Sequence, residues 1–211
     1  MPIYAGSNID IRLQPVPIAG DISINNIGNG VLGREPSHQV SISSDYNGLS
    51  LFRYSLEAGD LSYDTVPTHI NFSVFTSAMS KGKNKYKNSI FTFKNEALEI
   101  EYKIKLLIGS KKVIVERYEN QVKVGRIAYD VSLEPFVTYR VSIILSSYYG
   151  DKLEIAADDY AVDSSDDILN LDLRQDFAAF PIGTLRDFSL YAGSRRSETK
   201  FWDQSLWIFA D

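Results

Sequence analysis

The run Glu99-Ile100-Glu101-Tyr102-Lys103-Ile104-Lys105-Leu106 alternates charge with apolar bulk at period two, the repeat of a strand with one buried and one wet face. It puts Ile100, Tyr102, Ile104 and Leu106 on the core side. Segments of the same texture recur at 9–13, 21–25, 39–43, 49–54, 70–75, 90–93, 112–118, 121–129, 136–146, 153–156, 168–173, 185–191 and 206–209. Clusters of Gly, Asn, Asp and Ser divide them, which is the punctuation of an all-β chain. Around Glu119-Asn120 two such runs lie close enough for a hairpin, with Asn at a position that tolerates positive φ. The best helical stretch, 172–180, is short and stops at Pro181, so one or two turns are all it predicts. Many short one-sided strands with exposed loops predict an all-β fold, an antiparallel β-sandwich of jelly-roll type.

The length of 211 residues fits one sizeable domain. Texture changes along it: residues 1–48 are rich in Gly, Pro, Asn and Ser with few aromatics, whereas aromatic density rises from Phe52 onward. This predicts an extended N-terminal docking arm over 1–48 and a β-sandwich domain over 49–211. Lysine and arginine number 22 against 27 aspartates and glutamates, a net charge of −5, the wrong average balance for sequence-independent nucleic-acid binding. The absence of cysteine rules out disulfides, a thiol nucleophile and thiolate metal sites. His38 and His69 stand far apart in sequence, leaving little histidine chemistry. The first twenty residues hold Pro2, Pro15 and Pro17 and no apolar block, and no run approaches a membrane span. The expectation is a soluble protein made in a host cytoplasm without a signal peptide and without membrane insertion.

Residues Pro17 to Tyr54 carry a Gly, a residue, then Ile-Ser, a linker to a second Gly, and a Ser-rich strand with a Leu-Ser-Leu element. The positions are Gly20, Ile22, Ser23, Ile27, Gly33, Val40, Ser41 and Leu49 to Leu51. The segment resembles a short element of tailed-bacteriophage virion structural proteins: tail fibre, baseplate or particle-surface proteins. The strand count and aromatic content of the rest look like a concanavalin-type or laminin-G-type sandwich. The resemblance implies a structural or attachment role in the virion, with other virion proteins as partners.

Several constellations invite chemistry. Gly28 to Gly33 spells G-x-G-x-x-G, but Arg34-Glu35-Pro36-Ser37 and a strand follow where a dinucleotide site needs a helix, so it reads as a turn. Asp158, Asp159, Asp163, Asp166 and Asp167 could supply oxygen ligands to calcium, although their spacing is not that of an EF-hand; the competing reading is a solvated acidic loop. No other cofactor is expected. Lys81, Lys83, Lys85 and Lys87 form a positive stripe if extended and a solvated loop otherwise. Glu99 and Glu101 resemble a glycosidase pair in spacing, yet Lys103 and Lys105 share their face and cross-strand ion pairing accounts for all four. No catalytic residues are assigned, and the chain is expected not to be an enzyme.

Sugars need a ring to stack on and polar groups for their hydroxyls. Tyr148, Tyr149 and Asp151 around Gly150, and Arg195, Arg196 and Trp202, offer two loop-borne candidates; the alternative is that these aromatics line a subunit interface. The reading is a non-enzymatic virion component that forms a homo-oligomer and contacts a host-surface glycan. Its alternatives are a polysaccharide depolymerase and a cellular carbohydrate-binding module.

Overall fold

The computed structural model describes residues 12–26, 38–42, 49–57, 69–76, 88–146, 150–157, 167–178, 188–195 and 199–207. Among them fourteen strands run in the order β1 (Arg12–Ala19), β2 (Ile22–Asn26), β3 (His38–Ile42), β4 (Leu49–Glu57), β5 (His69–Thr76), β6 (Asn88–Asn95), β7 (Ile100–Leu107), β8 (Lys112–Glu119), β9 (Val122–Asp130), β10 (Thr138–Ser146), β11 (Gly150–Ala157), β12 (Asp167–Asp172), β13 (Phe188–Arg195) and β14 (Thr199–Trp207). Two 3-10 turns, Ile108–Ser110 and Leu173–Gln175, are the helical content. The second turn lies where the sequence predicts one or two helical turns. The strands form two seven-stranded sheets, β1-β4-β13-β6-β7-β8-β9 and β12-β11-β10-β5-β14-β3-β2, with antiparallel pairing throughout.

Register aligns the apolar positions of the first sheet into a stripe. Phe52 faces Ala192, Ala192 faces Phe91, Phe91 faces Ile104, Ile104 faces Val115, and Val115 faces Ile127. The first five are buried and Ile127 packs against them. The second sheet answers with Val40, Ile42, Val74, Tyr139, Val141, Ile143, Leu153 and Ile155. Each large apolar side chain withdrawn from water in this way contributes about 1.5–3 kcal/mol, and strict alternation assigns it to one face.

Strands β1, β2 and β3 are divided between the two sheets. β1 is an edge strand beside β4. Its Pro15 and Pro17 lie two residues apart, so both missing N–H groups fall on the same side, an arrangement that an edge strand tolerates and an interior strand does not. β2 and β3 extend the second sheet from β14, and Val40 and Ile42 lie in the core. Described strands thus lie on both sides of residue 48, and β1 and β3 pair with β4 and β14. β1 and β2 are the outermost strands of their sheets, where proline is tolerated, whereas β3 lies between β14 and β2.

The hairpin between β8 and β9 turns on Asn120 and Gln121, one residue later than the sequence places it. Their φ values of 49° and 64° belong to the primed turn that matches strand twist. Glu119 pairs with Val122 and Tyr118 with Lys123, but Arg117 pairs with Gly125. Val124 is the extra residue of a bulge, and both Val122 and Val124 are exposed.

One polar cluster lies inside. Arg117 is 5% exposed and donates from Nη1 to the Tyr102 hydroxyl at 3.2 Å and to the Ala178 carbonyl. Its Nε reaches Glu119 at 2.9 Å, and the Tyr102 hydroxyl donates to the same carbonyl at 3.1 Å. Phe177 packs edge-on to Tyr102, ring centroids 5.6 Å apart, and a Cβ on Gly125 would stand 2.6 Å from the Phe177 ring. Tyr129 donates to Asp176 at 3.0 Å. These contacts fasten residues 173–178, which lead from β12 in one sheet toward β13 in the other, against the first sheet.

Candidate functional site

The face of the first sheet turned away from the core carries a second stripe. Register sets Arg53 (β4) opposite Tyr191 (β13), Tyr191 opposite Thr92 (β6), Thr92 opposite Lys103 (β7), Lys103 opposite Glu116 (β8) and Glu116 opposite Arg126 (β9). At roughly 4.8 Å per strand the row extends about 24 Å. A parallel row contains Ser189, Lys94, Glu101, Tyr118 and Lys123. On the other side Lys105 lies beside Ile90 and Ile114.

These side chains hold one another. Glu116 accepts from Lys105 at 2.7 Å and from the Tyr118 hydroxyl at 2.9 Å, with Lys123 at 3.5 Å and Arg126 at 3.6 Å. Lys103 pairs with Glu101 at 2.8 Å and stands over the Tyr118 ring, 4.7 Å from its centroid. Lys94 pairs with Glu96, which also accepts from the Tyr191 hydroxyl at 3.2 Å. Arg53 donates to Ser189 at 3.3 Å and lies 5.9 Å from the Tyr191 ring. The outcome is a connected layer in which Thr92, Glu116 and Ser189 are buried beneath their neighbours and the two phenols are held by carboxylates, Tyr118 by Glu116 and Tyr191 by Glu96.

Titration follows from these contacts. Burial alone would raise the Glu116 carboxyl, but the hydrogen bonds from Lys105 and Tyr118 and the charges of Lys105 and Lys123 outweigh it, leaving it below its ordinary value. Glu96 behaves likewise: burial raises it, and Lys94, Ser189 and Tyr191 bring it down further. Burial and the bond to Glu116 push the Tyr118 phenol up to about 12. Across the working range Glu116 and Glu96 therefore stay ionised and the Tyr118 phenol stays neutral.

The site residues expected from sequence fall elsewhere. Tyr148, Tyr149, Arg196, Asp158, Asp159, Asp163 and Asp166 lie outside the described residues, as do the lysine run 81–87 and the glycines 28–33. Asp151 is not on a loop: it is the second residue of β11, pairs with Leu145 and is fully buried, so it does not face solvent. Asp167 begins β12 opposite Ala156. Arg195 ends β13, and Trp202 pairs with Gln39 and Ser73 inside β14, so neither is a loop residue.

Of the two expected clusters, the described residues Asp151 and Arg195 lie toward opposite ends of the sandwich. Next to Asp151, Lys152 pairs with Ile144, which pairs with His69. Arg195 leads in three residues to Thr199, which pairs with Thr76. His69 and Thr76 are opposite ends of β5, about 23 Å apart at roughly 3.3 Å per residue. Among the described residues no group of three or more metal-ligating side chains is gathered. Glu99 lies in the turn before β7 with φ 51°, off the strand face that Glu101 shares with Lys103 and Lys105. Of the four residues expected to pair across strands, Glu101 and Lys103 pair within β7 and Lys105 pairs across to Glu116 on β8. Arg53, Thr92, Glu116, Arg126 and Tyr191 were not legible as a group, because the row takes one residue from each of several distant segments and only register joins them.

No family profile matches the chain, and no curated protein matches it. Among solved structures it is similar to the carbohydrate binding module CBM66 from Bacillus subtilis, at 12% identity and a TM-score of 0.49, covering 91% of this chain and 92% of that one. It is similar to winged bean acidic lectin complexed with methyl-α-D-galactose, at 11% identity and a TM-score of 0.40, covering 95% and 92%. A tail fiber protein from an E. coli phage is similar at 7% identity and a TM-score of 0.35, covering 99% of this chain and 22% of that one. The likeness is one of β-sandwich architecture, and no residue's role here is taken from it.

Proposed function

We propose that the chain is a non-enzymatic carbohydrate-binding sandwich and that the outward face of the first sheet is its sugar-binding surface. The observation that carries this is the row Arg53, Tyr191, Thr92, Lys103, Glu116 and Arg126. A saccharide offers C–H faces and a dense set of hydroxyls, and it is met by aromatic rings set among fixed donors and acceptors. The row supplies one ring, Tyr191, with ammonium and guanidinium donors on either side, already held by contacts with their neighbours. Preorganisation matters because ordering each long side chain on binding would cost about 0.5–1.5 kcal/mol.

Affinity electrophoresis through gels containing neutral and acidic polysaccharides tests the proposal. Retardation by at least one polymer, reduced in Tyr191→Ala and without release of new reducing ends, is the expected result. Migration unchanged by every polymer contradicts it.

A second reading, a component of a tailed-phage particle, has the segment Pro17 to Tyr54 in its favour. The two are compatible, since a particle protein can carry a sugar-binding face. Mass spectrometry of purified particles tests membership directly.

A further inference from the structure

The charges on this face are unevenly matched. Among its described side chains, Arg53, Lys94, Lys103, Lys105, Lys123 and Arg126 are cationic, whereas Glu96, Glu101 and Glu116 are their carboxylate partners. Lys112 and Asp130, at the margin, neutralise each other at 3.1 Å. The surplus is positive in a chain whose net charge is −5. It is greatest around Glu116, where one carboxylate faces Lys105, Lys123 and Arg126. Lys105 takes the shortest contact, and the other two sit beyond hydrogen-bond distance with side chains about half exposed, 47% and 49%.

From this placement we infer that the face binds a linear acidic polysaccharide, a uronate- or sulfate-bearing chain laid across the strands, with Lys123 and Arg126 receiving its anionic groups. The inference rests on the proposed sugar-binding reading and names the ligand class. The cations are spread along the row from Arg53 to Arg126, a distance suited to a repeating anion rather than to a single charged sugar. Among the carboxylates, Glu101 is the more accessible acceptor for its hydroxyls, whereas Glu116 is buried beneath its cationic partners. A polynucleotide offers far fewer hydroxyls to the acceptors of this face.

Glu116 gives the inference a test with a sign. Its charge opposes an incoming anion, so Glu116→Gln should bind an acidic polymer several-fold more tightly. The double variant Lys123→Gln/Arg126→Gln should bind it at least tenfold more weakly and with a shallower dependence on salt. The experiment is calorimetric titration of the full chain with polygalacturonate, heparin, dextran and a single-stranded polynucleotide at two salt concentrations. The unchanged circular dichroism of the double variant, altered only at half-exposed positions, serves as the folding control.

Binding to polygalacturonate or heparin that weakens with salt and with loss of Lys123 and Arg126 supports the inference. Binding to dextran alone, or to acidic polymers without sensitivity to these residues, overturns it while leaving the sugar-binding reading intact. Preference for the polynucleotide overturns it in favour of nucleic acid. Binding to none of the four, nor to any polymer of the electrophoretic panel, overturns both.

Discussion

Lys105 reaches Glu116 at 2.7 Å although the two are not opposite each other: Lys105 pairs with Ile114, and Glu116 with Lys103. The contact is diagonal, and it leaves the directly opposite Lys103 to Glu101 on its own strand. Such diagonal reach lets one carboxylate serve three neighbouring strands. It makes the face a connected layer rather than a set of isolated surface pairs, which individually contribute about 0–1 kcal/mol.

Loss of the Glu116 charge should therefore matter to stability. Glu116→Gln keeps the shape but weakens charge-assisted bonds worth about 1.5–3 kcal/mol to such groups. Because Lys105 is a quarter exposed, the lower end of that range is expected. Urea unfolding measures it; an unchanged midpoint would mean that the layer adds nothing to the fold.

Acid should weaken the protein through the same groups. Glu116 and Glu96 have carboxyls held below their ordinary value when folded. Their contribution is complete above the ordinary carboxylate range and is lost as pH falls through the folded values. Thermal melts should show stability declining on acidification below the ordinary range, with a smaller decline in Glu116→Gln. Equal declines in both proteins would contradict the assignment.

Gly125 is required for a close approach. A methyl group there would meet the Phe177 ring at 2.6 Å, so Gly125→Ala should destabilise by about 1–3 kcal/mol through overpacking. Adding Phe177→Leu should recover part of the loss. A Gly125→Ala protein as stable as the parent would show that the 173–178 segment is not packed there.

Arg117 fastens that segment from the other side. Arg117→Met should release the Ala178 carbonyl and the Tyr102 hydroxyl and cost about 2 kcal/mol or more, since buried polar groups lose partners. Limited proteolysis should then cut near 173–178 first. Cleavage beginning at another site in both proteins would count against the latch.

A protein starting at Asn47 lacks β1, β2 and β3. Losing Val40 and Ile42 alone removes about 3–6 kcal/mol at about 1.5–3 kcal/mol each, a large share of a typical total of 5–15 kcal/mol. The truncated chain should unfold or aggregate. A cooperative melt near that of the full chain would support the expected arm over 1–48.

What the sequence revealed and what it hid divide along one physical line. Alternation in 99–106 located the faces of β7 because side-chain direction is a local property of a strand. The 119–121 turn was legible within one residue because turn chemistry is local too. The row from Arg53 to Arg126 was not, since it exists only through register among strands far apart in the chain. Asp151 looked like a loop acid beside Gly150, but tertiary pairing drew both into β11. The alternating run at 9–13 did not show that β1 continues through Pro15 and Pro17, which its edge position tolerates.

The central claim is that ligand lies on the sheet face rather than at the loop-bearing ends. Backbone amide chemical-shift mapping during titration with a retarding polysaccharide tests it most directly. The account predicts the largest shifts in β6, β7, β8 and β13, around Thr92, Lys103, Glu116 and Tyr191. Shifts concentrated instead at 148–151 or 195–202, with the sheet face unmoved, would contradict it.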